Sequence, residues 1–104
     1  MAIVSAFMPS GSTVLVGASA TQVPTTSGIG ASSFRIRNMS ASVQYFAWGT
    51  ASSVAAPVAP TAGVPSASTI GMLGNSVETF ILPPNAWFIA GTVTGFEFTP
   101  GEGI

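Results

Sequence analysis

Glycine and proline recur so often in this chain, at 12 and 8 of its 104 positions, that no stretch sustains an apolar repeat of 3.6 residues long enough to build a helix. Short segments with a period of two take its place. In residues 33–38, Phe34 and Ile36 point one way and Arg35 and Arg37 the other, the pattern of a half-buried strand with both cations on its outer face. Residues 94–99 repeat it with Phe96 and Phe98 inward and Glu97 outward, and Pro100-Gly101-Glu102-Gly103 is expected to end that strand. In residues 42–49, Val43, Tyr45 and Ala47 alternate with Gln44, Phe46 and Trp48, so aromatic rings fall on both faces and the strand reads as central. Residues 13–17, 77–82 and 86–91 complete the set. The last two flank Pro83-Pro84-Asn85, whose prolines fix the backbone and donate no hydrogen bond, as in a hairpin or a corner between sheets.

About six to eight short strands in one domain's length predict an all-β fold: a single-domain antiparallel β-sandwich, jelly-roll-like. The expected organisation is an extended N-terminal arm over 1–12 and a sandwich over 13–104. Within it, residues 50–68 form a long Ala/Pro-rich loop without periodicity. No internal repeat suggests a solenoid or propeller, and the Thr92-x-Thr94 pair reads as two strand threonines rather than an ice-binding array.

Charge is the second constraint. Charged residues make up 5% of the chain, against roughly 25% in typical soluble domains; they are Arg35, Arg37, Glu78, Glu97 and Glu102, for a net charge of -1. A hydrophobic content of 47% excludes a disordered chain. The surface must then be neutral, and copies of it repel one another weakly. The uncharged stretch over 38–77 is not a membrane span, because Gly49, Pro57, Pro60, Gly63 and Pro65 break it well short of about 20 continuous apolar residues. Ala18-Ser19-Ala20 looks like a signal-peptide cleavage site, but no Lys or Arg precedes it and Pro9, Ser10, Gly11 and Ser12 interrupt the apolar segment, so no cleaved signal is expected. Without Cys the chain carries no disulfide framework.

The same inventory argues against an enzyme. Ser and Thr are abundant, but there is no His, Lys, Asp or Cys to activate them. Glu78 and Glu97 are the possible carboxylate pair; each alternates with apolar neighbours, which places both on outward faces rather than in a cleft. No metal site or cofactor is expected, since zinc ligands are missing and the glycines of Gly28-x-Gly30 and Gly101-x-Gly103 have no Lys or helix beside them. Two arginines against three glutamates cannot neutralise a nucleic-acid backbone. The candidate interface residues are Arg35, Arg37, Trp48 and Trp87. The arginines either meet a partner's carboxylate or carbonyls or pair within the chain with Glu78 or Glu97. The tryptophans either anchor an interface or pack in the core, the commoner fate of a strand Trp.

Four segments occur in order: Phe34-Arg35-Ile36-Arg37-Asn38, Gln44-Tyr45-Phe46-Ala47-Trp48-Gly49, Gly74-Asn75-Ser76-Val77-Glu78-Thr79-Phe80-Ile81-Leu82-Pro83, and Phe96-Glu97-Phe98-Thr99-Pro100-Gly101-Glu102-Gly103. Their succession, over about the last seventy residues, resembles small virion proteins of tailed bacteriophages, of the capsid decoration or cement type. The resemblance implies a β-sandwich or jelly roll on the capsid surface, bound to the major capsid protein and to copies of itself as a dimer or trimer. It also implies assembly in the host cytoplasm and no catalysis. The Ala/Pro insertion over 50–68 and the neutral N-terminal third depart from that pattern. Both the arm and the 50–68 loop are expected to reach neighbouring subunits. The alternative is a carbohydrate- or receptor-binding module of a tail or fibre, with Tyr45, Trp48 or Trp87 as a stacking platform.

Overall fold

The computed structural model describes residues 7–25, 32–64, 69–91 and 95–102. The first six residues of the expected arm, loop residues 65–68, the Gly28-x-Gly30 and Thr92-x-Thr94 segments and Gly103 lie outside these. Among the described residues, nine strands run in the order β1 (Met8–Pro9), β2 (Val14–Val16), β3 (Thr21–Gln22), β4 (Ser32–Asn38), β5 (Gln44–Gly49), β6 (Thr69–Met72), β7 (Val77–Leu82), β8 (Trp87–Ala90) and β9 (Phe96–Glu102).

Every pairing is antiparallel, and the strands form two sheets. One has the order β1-β9-β4-β7, with β2 also paired to β9; the other has the order β3-β8-β5-β6. β1 lies opposite Gly101 and Glu102, and β2 opposite Phe96 to Phe98, so together they act as one interrupted edge strand. Counted that way, the order is that of an eight-stranded jelly roll, two four-stranded sheets face to face. The Pro83-Pro84-Asn85 turn is a corner between sheets, because β7 and β8 belong to different ones. Asn75 and Asn85 each take a positive φ of 56° at such corners, a conformation Asn tolerates better than most residues.

The inward rows meet in an aromatic core. Phe34, Phe96 and Phe98 from the first sheet and Phe46 and Phe88 from the second are fully buried. Their rings interlock edge-on or tilted, with centroids 4.1 Å apart for Phe88 and Phe98, 5.2 Å for Phe46 and Phe96, and 5.3 Å for Phe34 and Phe88. Burial of each ring contributes about 1.5–3 kcal/mol, with further gain from edge-to-face contact. The expected central strand is β5, flanked by β8 and β6.

Two boundaries differ from expectation. β9 does not end at Thr99 but continues through Pro100 to Glu102. Ser10 donates its backbone N–H to the Pro100 carbonyl, so the proline's backbone edge faces the gap between β1 and β2. Its missing N–H therefore costs no ladder bond to β4. Residues 8–9, within the expected arm, are also a strand: Pro9 sits on the sheet edge, where proline is tolerated.

A buried amide fastens one end of the sandwich. The Asn38 side chain is fully buried, and its Nδ2 is shared among the carbonyls of Ser42 (3.1 Å), Met72 (3.1 Å) and Leu73 (2.9 Å). Its Oδ1 accepts from the Ser40 N–H at 3.0 Å. Asn75 N–H to Ser40 carbonyl and Asn38 N–H to Ser76 carbonyl add two backbone ties, so the β4–β5 and β6–β7 corners are held to each other.

Candidate functional site

Register fixes what each outer face displays. Across the first sheet Leu15, Glu97, Arg37 and Val77 lie in one row. In the next, Thr99, Arg35 and Thr79 are opposite one another, and Thr13 shares a 2.9 Å hydrogen bond with Thr99. A third row holds Pro9, Gly101, Ser33 and Ile81. The Phe7 ring lies where a Gly101 β-carbon would be, so only glycine there admits it. Leu15, Val77 and Ile81 are 58%, 44% and 54% exposed, at the two flanks of this face.

Between those flanks sit the charges. Arg37 Nη1 lies 3.9 Å from Glu97 Oε1 with both side chains partly exposed, a pair that contributes little to stability in open solvent. The Arg35 side chain, two residues along the same face, makes no ion pair or hydrogen bond among the described residues. With Val77 and Thr99 these three side chains line a depression of about 260 Å³. Glu78 is not part of this face. It lies opposite Ile36, on the core-side row of the edge strand β7, and is exposed there, so the alternation of Val77, Glu78 and Thr79 gives the wrong side. Apolar Val77 faces out because it shares a row with Arg37.

The second sheet's outer face is closed by its own chain. Ala47 and Ile89 lie opposite each other and are 3% and 9% exposed, yet belong to no part of the aromatic core. Residues following β5 turn back over them. Val54 lies 3.2 Å from where a Gly49 β-carbon would be, Pro57 3.8 Å from that of Gly91, and the Tyr45 ring 2.8 Å from that of Gly71. A space of about 220 Å³ remains between Ala47 to Gly49 and residues 50–55. The first half of the 50–68 loop thus covers its own sheet, while Val58 and Val64 beyond it stay exposed.

The four candidate interface residues therefore do not converge. Arg35 and Arg37 share the open face. Trp48 lies opposite Phe88 and packs against the core. Trp87, opposite Gly49 and Gln22, is half-buried on the outer face of the second sheet, the side that also bears Tyr45. A third exposed group was not singled out from the sequence: Met39, Val43 and Leu73 stand on the corners that Asn38 ties together. Neither Leu15 nor the corner group was legible in the sequence: Val14, Leu15 and Val16 are all apolar, so alternation does not say which row faces out, and only the Asn38 hydrogen bonds hold the corner segments together. Among the described residues no three His, Cys, Asp or Glu side chains gather.

No family model matches the sequence, and no curated protein or solved structure is significantly similar to it.

Proposed function

We propose that the protein is a structural, non-enzymatic component of a tailed-phage virion, a capsid decoration protein that binds the surface of the head and bridges neighbouring major capsid subunits. The observation that carries this reading is the exposed apolar group at the fastened corners, Met39, Val43 and Leu73. These side chains belong to the uncharged stretch 38–77 and stand at one end of the jelly roll, where they need covering. The order of sequence motifs that resembles decoration proteins supports it, as does the fold, which viral capsid domains share with lectins and other proteins. Many weak copies of one contact hold a shell together through multivalency.

Mixing the purified protein with expanded, undecorated phage heads and pelleting them tests this. The protein is expected in the pellet, and to remain there at about 1 M salt because apolar contacts are not screened. Removal of residues 1–6, which leaves β1 in place, is expected to weaken binding if the arm reaches a neighbour. A second reading, a carbohydrate- or receptor-binding module, draws on Tyr45 and Trp87 sharing one outer face. Glycan binding lost on Trp87→Ala, with no protein in the head pellet, would replace the first reading.

A further inference from the structure

We infer that the open face of the β1/β2-β9-β4-β7 sheet is self-complementary and docks a second copy of this chain, the two related by a two-fold axis parallel to the strands and lying between β9 and β4. Such a rotation reverses strand order while preserving position along the strands. β9 then faces the second copy's β4, and β2 faces its β7. Glu97 meets the second copy's Arg37 and the reverse, Leu15 meets its Val77, and Thr99 meets its Arg35; in the third row, where Phe7 lies over Gly101 and Ser33 is buried, the flanking Pro9 meets its Ile81. Acid falls on base and apolar on apolar. The alternative two-fold, along the rows, would stack β4 on β4 and bring the arginine strands together, an unfavourable like-charge arrangement. Charge therefore selects one isologous geometry. Aligned sheets cross at about 30°, an offset that long Arg and Glu side chains span.

The footprint sets the strength. Four strands about 4.8 Å apart and about six residues long present roughly 400 Å² per copy, half of the ~800 Å² per partner of a stable complex. The dimer is thus weak, and because its ion pairs are exposed it loosens as salt rises, unlike the binding expected at the head.

The inference goes beyond the head binding proposed above and is tested on the purified full chain without heads, so its failure and that of head binding are separate results. Sedimentation equilibrium up to roughly 1 mM covers the range this footprint allows. The wild type is expected to dimerise. Arg37→Glu and Glu97→Arg, each alone, set like charges opposite each other and are expected to weaken the dimer at least tenfold. An equimolar mixture of the two is expected to restore it, because the first copy then carries two acids where the second carries two bases. The intrachain pair is repulsive in both variants, so only contact between copies can rescue. Leu15→Lys, outside the ion pair, is expected to weaken the dimer as well, and near-ultraviolet circular dichroism checks that each variant is folded. A wild type monomeric at 1 mM, folded single variants that dimerise like wild type, or a mixture no tighter than its components would overturn the inference.

Discussion

The two outer faces of this sandwich are built from similar strands and finished in opposite ways. On the β3-β8-β5-β6 side, glycines at 49, 71 and 91 leave room, and Val54, Tyr45 and Pro57 come down into it, so Ala47 and Ile89 end up buried. On the β9-β4 side Phe7 lies over Gly101 and Ser33 beside it is buried, while the rows of Arg35, Arg37 and Glu97 stay open between apolar flanks. A chain that lacks charge has two ways to treat a sheet face: cover it with its own loop, or leave it for another surface. This one uses both.

Substitutions can test how separate the two faces are. The largest effect is expected where they share support: Phe46→Ala removes a fully buried ring that touches four others and should cost about 3–5 kcal/mol in urea unfolding. A smaller loss would mean that the core relaxes more than its packing suggests. Asn38→Ala leaves the carbonyls of Ser42, Met72 and Leu73 without their donor and is expected to cost about 2 kcal/mol. It should also loosen the corner bearing Met39, Val43 and Leu73, read as faster amide exchange there. Gly71→Ala tests the covered face alone. Its new methyl displaces the Tyr45 ring at a cost of about 1 kcal/mol, with a change in Tyr45 emission. Val77→Thr on the open face should shift stability by less than about 0.5 kcal/mol; a loss as large as that of Gly71→Ala would show that this face, too, has an intrachain cover.

Much of this arrangement was legible in the sequence where side-chain alternation was clean. Phe34 and Ile36 against Arg35 and Arg37, and Phe96 and Phe98 against Glu97, gave strand, face and burial together, because a period of two leaves one assignment when one row must be buried. β3 and β6 escaped notice: a two-residue strand has no period, and Gly71 interrupts the pattern of the other. Glu78 was misread for a related reason. At an edge strand the core-side row runs out toward solvent, so polarity no longer reports the face. The Arg37–Glu97 pair needed strand order, which composition does not contain, and the loop lying over Ala47 needed tertiary structure.

The place of β9 has a consequence in time. It is the final strand in chain order, yet it lies in the interior of its sheet, between β1/β2 and β4. During synthesis the early strands β1 and β2, whose pairing is to β9 alone among the described strands, must wait for residues 96–102 to emerge. Until then the inner surface of β4 lacks the Phe96 and Phe98 rings that complete it. Folding of this sheet therefore waits on its last strand and is dominated by distant pairings, which makes it slow. The unpaired strand edges and uncovered apolar rows are, in that interval, an aggregation hazard.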